Sequence, residues 1–288
     1  MYNQIDSNKH KSWFLMLIFA LVIIALAWIW TYYSNDSYAP VIMAIMLATT
    51  LNLVSWFAGD KIALSTAGAK EISKEDNPYV WRLVENLSIT AGTAMPKIYI
   101  INDASMNAFA TGRDPKHSSI ALTTGIIEAL ENEELEGVIA HELSHIKNYD
   151  IRLMMIVIVC VGVITLLADW LIRGSLFRSR GSDRNNNGLI AIIGIVLAIL
   201  SPIFAKLIQL SISRRREFLA DASGALLTRY PEGLARALEK ISKQNQPLAH
   251  ANKATAHLYI SNPFKGGANN LFSTHPPIEQ RIKALRSM

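Results

Sequence analysis

The stretch HELSHIKNYD, residues 141–150, sets two histidines four positions apart, with a glutamate directly after the first. On a helix, positions i and i+4 lie on one face. His141 and His145 can then turn their rings to a single ion. Glu142 falls about 100° round the helix, beside the ion without being a ligand. Two neutral imidazoles and a neighbouring carboxylate suit a zinc-activated water: the rings hold the metal and the carboxylate takes the proton. Chance would place this HExxH pattern in such a chain on the order of 0.01 times, which disfavours an exposed helix with stray histidines.

A hydrolytic zinc site needs a third protein ligand and an open fourth position. The chain has one cysteine, Cys160, inside an apolar run, so neither a disulfide nor a cysteine zinc cluster can form within it. The third ligand must be histidine or carboxylate. In RRREFLADASG, residues 214–224, Glu217 and Asp221 are again four apart. One can ligate while the other supports a histidine from behind. Taken alone, the pair reads as a solvated acidic face beside arginines.

The surroundings are apolar. The 288 residues are 51% hydrophobic and 18% charged, against roughly 25% charged in soluble domains. Four runs carry the excess: Trp13–Trp30, Ala39–Ala58, Leu153–Ile172 and Leu189–Ile212. A membrane helix needs about 20 such residues. The first two runs are uncharged; the third contains Asp169 and the fourth Pro202 and Lys206. The first run is long for a cleaved signal and a second follows at once, so it reads as an uncleaved anchor. Lysines flank this hairpin at Lys9, Lys11, Lys61, Lys70 and Lys74, while the loop 31–38 has no Lys or Arg. That asymmetry puts both ends of the hairpin in the cytoplasm. The loop Arg173–Gly188 holds four arginines and disagrees: the later runs cross against the rule or form a hairpin that does not fully span. The net charge of +5 comes with no long basic block, and Arg214–Arg216 is too short to suggest nucleic acid.

The organisation expected is a membrane hairpin at 1–58, a first polar part at 59–152, a second membrane hairpin at 153–212 and a second polar part at 213–288. In the first polar part, Val80, Leu83, Val84 and Leu87 mark a helical face. KIYII (97–101), 107–112 and 118–123 read as strands, and 131–147 as a helix with Glu133 and Glu134 at its positive end. In the second, helices are expected at 217–228 and, from Pro231, at 231–242. Residues 244–270 read as loop and 181–188 as a flexible linker.

Four segments in order, NAFATG (107–112), HELSHIKNYD (141–150), EFLAD (217–221) and STHPPIEQRI (273–282), resemble the HtpX-type membrane zinc metalloproteases, relatives of the CAAX prenyl proteases. The resemblance covers nearly the whole chain. It implies an α+β, mainly helical, gluzincin-like zinc protease domain with a small β-sheet, attached to four transmembrane or membrane-embedded helices. By motif, His141, His145 and Glu217 match the ligands of one Zn2+ per chain, and Glu142 the catalytic base. Asp221 matches the support of a ligand histidine. Asn148 and Asp150 match structural hydrogen-bonders beyond the metal helix. Asn107, Ala108, Phe109, Ala110, Thr111 and Gly112 match a substrate-aligning edge strand, with Gly112 where relatives often have proline. His275 and Arg281 match a pair near the reacting carbonyl; read from their residues alone, they are a turn histidine and a surface arginine paired with Glu279 or Asp221.

The function implied is peptide hydrolysis at the bacterial cytoplasmic (inner) membrane by a multi-pass protein. Its site would face the cytoplasm, and misfolded membrane proteins would be its polypeptide substrates, in quality control and stress response. The lipid bilayer is the other partner, and no nucleic acid is expected. A narrow CAAX-type processing protease is the rival enzyme, but that family usually has more spanning helices. A non-enzymatic membrane protein with a structural zinc is the other rival, but a structural site is closed by four protein ligands.

Overall fold

The computed structural model describes residues 2–34, 37–160, 162–163, 214–244, 247–248, 258–261 and 276–288. Half of the third apolar run, all of the fourth, the arginine-bearing loop, the linker at 181–188 and His275 lie outside these residues. The chain packs as two units. One contains the residues up to Lys9, Asp60–Met155 and the described residues from Arg214 onward; the other contains His10–Gly59 and the described residues from Ile156 to Val163.

Two long helices, α1 (Tyr2–Ser34) and α2 (Ala39–Thr66), carry the first two apolar runs and extend beyond them. Within the second unit, Trp13 stacks on Trp56 with ring centroids 5.4 Å apart, and Asn52 Nδ2 donates to Met16 O at 3.4 Å. Phe19, Ile23, Ala44 and Ala48 are buried. Phe14, Leu17, Leu21, Trp28, Met43, Met46 and Phe57 instead point outward and exposed. Apolar surface costs about 25 cal/mol per Å² in water, so these helices suit a lipid surrounding. Both are long and apolar enough to cross a membrane.

The first unit is a small sheet beside helices. β1 (Ala69–Glu71), β2 (Lys97–Ile101), β3 (Ala108–Asp114) and β4 (His117–Thr123) lie in the order β1-β2-β4-β3. β4 runs parallel to β2 and antiparallel to β3, which leaves β3 at an edge. Gly112 takes φ 137°, which proline, fixed near −65°, cannot adopt. A Cβ there would lie 2.3 Å from His117 O, and the β3–β4 register shifts between Gly112 and Asp114.

α3 (Pro78–Ala91) opens with Asn77 Oδ1 accepting from Val80 N–H at 3.0 Å and buries the expected stripe of Val80, Leu83, Val84 and Leu87. The short α4 (Thr124–Ala129) leads to α5 (Asn132–Lys147), which Glu134 Oε2 caps by accepting from Glu131 N–H at 2.9 Å. Residues 150–160 are also helical, and α6 (Arg214–Thr228), α7 (Pro231–Lys243) and α8 (Ile278–Arg286) follow later in the chain. α5 touches α3, β3, α6 and α7. Leu135, Val138, Ile139, Leu143 and Ile146 sit in one core with Leu234, Leu238 and Leu285. Glycines permit the closest crossings: a Cβ on Gly137 would meet Leu234 N at 2.7 Å, and one on Gly224 would meet His141 N at 3.0 Å. α6 therefore rides directly on the backbone of the motif helix.

Candidate metal centre

His141, Glu142 and His145 are all buried on α5, and Glu217 and Asp221 are buried on α6. Burying so many ionisable groups costs several kcal/mol per ion unless they are paired or hold a metal. The stripe Glu217, Asp221, Gly224 follows the i, i+4, i+7 spacing that faces one neighbour. Gly224 lets that stripe approach His141, and the two carboxylates above it reach the histidines.

His141 Nε2 lies 3.2 Å from His145 Nε2, and Glu217 oxygens lie 3.8 Å and 3.6 Å from those two nitrogens. Ligands about 2.0–2.1 Å from zinc at tetrahedral angles lie about 3.3–3.4 Å apart. The triangle already has nearly that size. The far ring nitrogens explain its polarity. His141 Nδ1 is 3.0 Å from Asp221 Oδ1, and His145 Nδ1 is 3.1 Å from Asp150 Oδ2. With Nδ1–H given to its carboxylate, a metal-binding ring would turn the lone pair of its Nε2 into the triangle. Two lone pairs and a carboxylate aimed at one point repel unless a cation stands there. The donor set fits a metal ion, and these three residues can hold it.

The carboxylates around the triangle favour positive charge within it. Burial would lower the pKa of His145, but Asp150 and Glu217 outweigh it and raise it to about 9. Burial raises the pKa of Glu142; His141 and His145 oppose this, and Glu217 adds to it. Burial alone would also raise Asp221, yet Arg281 and His141 pull its carboxyl well below the usual range.

The edge strand passes the base. Asn107 O accepts from Thr123 N–H at 3.0 Å, so Asn107 faces β4. By alternation Phe109 and Thr111 do so too, while Ala108, Ala110 and Gly112 turn their backbone groups to the open edge. The Ala110 N–H donates to the Glu142 carboxylate. Among the described residues this edge takes one further backbone donor, Ile260 N–H to Ala108 O at 2.9 Å. Tyr259 packs edge-on against Phe109 there, centroids 5.0 Å apart.

A peptidase family M48 model matches residues 74–288, which contain every one of these groups. The chain belongs to peptidase family M48. It is similar over its full length to proteins called protease HtpX homologue. The identity is 46% with that of Dictyoglomus thermophilum, covering 94% of the relative. It is 42% with that of Thermoanaerobacter pseudethanolicus, covering 98%, and 43% with that of Lactobacillus acidophilus, covering 100%. The crystal structure of S. mikatae Ste24p matches 99% of this chain and 67% of that one, with TM-score 0.53 and 20% identity, a likeness of fold. This M48 chain is a metalloprotease.

In this M48 site, α5, α6, α8 and β3 together bring His141, Glu142, His145, Glu217, Asp221, Arg281 and the strand Asn107–Gly112 into the same unit. Arg281 is fully buried. It pairs with Asp221 through Nε at 2.8 Å and Nη2 at 2.7 Å, and its Nη1 lies 3.8 Å from Glu217. Asn148 ends α5 and contributes its backbone carbonyl, which accepts from Asn8 Nδ2 at 2.9 Å. Sequence reasoning missed the pairing of Asp150 with His145, because five residues do not bring two groups onto one helix face; only the turn after α5 does. It also missed Asn8 and Arg216, which reach Asp150 from far along the chain.

Proposed function

We propose that the chain is a zinc-dependent endopeptidase of the bacterial cytoplasmic membrane. It cleaves misfolded or damaged membrane proteins at segments exposed to the cytoplasm, as part of quality control under stress. The observation that carries this reading is Glu142: a buried carboxylate beside the three-ligand triangle, bonded to the open edge of β3 at Ala110.

His141, His145 and Glu217 would hold the zinc, with Asp221 and Asp150 fixing the histidine rings. Zinc, when bound, supplies an acidified water and a Lewis acid for the scissile carbonyl. A substrate backbone adding to the edge of β3 at Ala110 and Gly112 lies against Glu142. Glu142 takes a proton from the attacking water and passes it to the leaving amine, a role its raised pKa suits. Recognition through backbone groups favours broad specificity. The resemblance adds His275 as an oxyanion donor. Arg281, through Asp221, keeps the His141 ring in place rather than touching substrate itself.

His141 and His145 precede the third apolar run and Glu217 follows the fourth, so any crossing by those runs must return to the same side. With the lysines around the first hairpin, that side is the cytoplasm. Casein digestion by the purified full chain tests the activity: cleavage should stop with a chelator and return with Zn2+, and chelator-resistant cleavage would refute a metal mechanism. Asn3→Cys and Asn132→Cys, each in a Cys160→Ala background, test the orientation. Both should be labelled from the cytoplasm only.

A further inference from the structure

We propose that Asn8, near the start of α1, is a positioning residue for the metal centre. It fixes Asp150, and Asp150 fixes the ring of His145. The inference rests on His141, His145 and Glu217 being metal ligands.

His145 stands in the last turn of α5, and its partner Asp150 comes five residues later. To bring Asp150 back over the ring, the chain must reverse sharply after Asn148. Tyr149 makes the reversal at φ 60°, in the left-handed region. That conformation brings the Cβ of an L-residue too close to its own backbone, so neighbouring groups must hold it. Asn8 brackets the turn: its Nδ2 donates to Asn148 O at 2.9 Å and to Asp150 Oδ1 at 2.8 Å. Lys9 Nζ lies 4.6 Å from the Tyr149 ring centroid and Arg152 Cζ 4.8 Å from it.

The carboxylate of Asp150 is thereby fixed in rotation. Its Oδ1 accepts from Asn8 Nδ2 and, at 3.1 Å, from Arg216 Nη1, so Oδ2 is left for His145 Nδ1. Arg216 Nη1 also donates to Asn8 Oδ1 at 3.3 Å. Arg216 immediately precedes Glu217, so one network ties the end of the histidine helix, the residue before the third ligand, and the chain's first ten residues. An amide suits the central position, because it donates twice and accepts at once. Neither leucine nor aspartate can do this. Asn8 is 2% exposed, and a buried amide is costly unless bonded. Residues that lead into the first apolar helix therefore belong to the chemistry of the metal centre.

Asn8→Leu and Asn8→Asp test this in the full chain in detergent. Co2+ is titrated with its visible absorption as readout, and affinity is measured against a competing chelator. Both variants should bind Co2+ about 10–100-fold more weakly than wild type, the range for loss of a group that orients a ligand. The d–d bands should shift as the His145 ring turns. In an Asp150→Ala background, Asn8→Leu should add nothing further, because Asn8 acts through Asp150. Wild-type affinity and spectrum in a folded Asn8 variant would overturn the proposal, and so would additive losses with Asp150→Ala. Asn8→Asp keeps the shape of the side chain, so the test stands if the leucine variant does not fold. No Co2+ binding by wild type would instead refute the ligand triangle itself, and this outcome is distinguishable from a failure confined to the Asn8 variants.

Discussion

Arg281 grips Asp221 through two parallel hydrogen bonds, Nε to Oδ2 at 2.8 Å and Nη2 to Oδ1 at 2.7 Å. Asp221 Oδ1 is also 3.0 Å from His141 Nδ1. A residue seven positions from the end of the chain thus orients the first histidine of the motif without touching the ion.

Removing either partner should have a different signature. Asp221→Ala strips His141 of its acceptor and leaves the buried Arg281 guanidinium without its bidentate partner, with Glu217 3.8 Å away. Zinc affinity should fall about 10–100-fold, and stability by about 3–5 kcal/mol. Arg281→Leu leaves Asp221 able to accept from His141, so stability should fall while zinc binding changes less. Chelator competition and thermal unfolding on the same samples separate the two; equal zinc losses would show that Asp221 orients His141 only while Arg281 holds it.

The same pair predicts an acid limb. The carboxyl of Asp221 is held below its ordinary value of 3.8, despite burial, chiefly by Arg281. The unfolded chain therefore binds a proton there more readily than the folded one. The contribution is fully present above that ordinary value and is lost as pH falls below it. Stability measured from pH 6 downward should decline at the acid end for wild type, and this component should shrink in Arg281→Leu.

Much of this was legible in the chain because it is local. HELSH at helical spacing fixes which residues share a face, and the stripe Val80, Leu83, Val84 and Leu87 is buried as its spacing requires. KIYII is the strand it was expected to be, and the helix from Pro231 begins where proline allows. What was hidden depends on distance. Nothing in β1, three residues long, signals a strand until Lys97–Ile101 is there to pair with it. Asp150 reaches His145 through the left-handed turn at Tyr149, and Asn8 reaches Asp150 across 142 positions. Arg281, expected at the surface with Glu279 or Asp221 as partner, is instead buried, and a buried guanidinium requires the carboxylate beside it, Asp221.

Glu142 and Glu217 should fail in opposite ways. Glu142 is not a ligand, so Glu142→Gln should keep stoichiometric zinc and lose peptide cleavage. Glu217→Ala opens the triangle and should lose the metal, with cleavage falling as a consequence. Metal content and casein digestion on both variants decide this. A Glu142→Gln protein that cleaves normally, or a Glu217→Ala protein that keeps tight zinc, would reassign the roles.

Two glycines permit two close crossings of α5, Gly224 with α6 and Gly137 with α7. A Cβ on Gly224 would stand 3.0 Å from His141 N, and one on Gly137 would stand 2.7 Å from Leu234 N. Both obstacles are helix backbone and cannot swing aside as a side chain would. Gly224→Ala and Gly137→Ala should each cost about 1–3 kcal/mol of stability by overpacking. Their effects on the metal should differ. Gly224 shares α6 with Glu217 and Asp221, so pushing that helix off His141 moves a ligand and a ligand's support by a few tenths of an ångström. Such a shift uses up much of the roughly 0.5 Å within which a site must be held, so zinc affinity should fall measurably. Gly137 faces α7, which carries no ligand, so Gly137→Ala should destabilise the fold and leave the affinity of the folded fraction near wild type. Chelator competition on the two variants, read beside their unfolding temperatures, compares them directly. Parallel losses of affinity would mean that α5 itself, rather than the seating of α6 upon it, sets the geometry of the ligands.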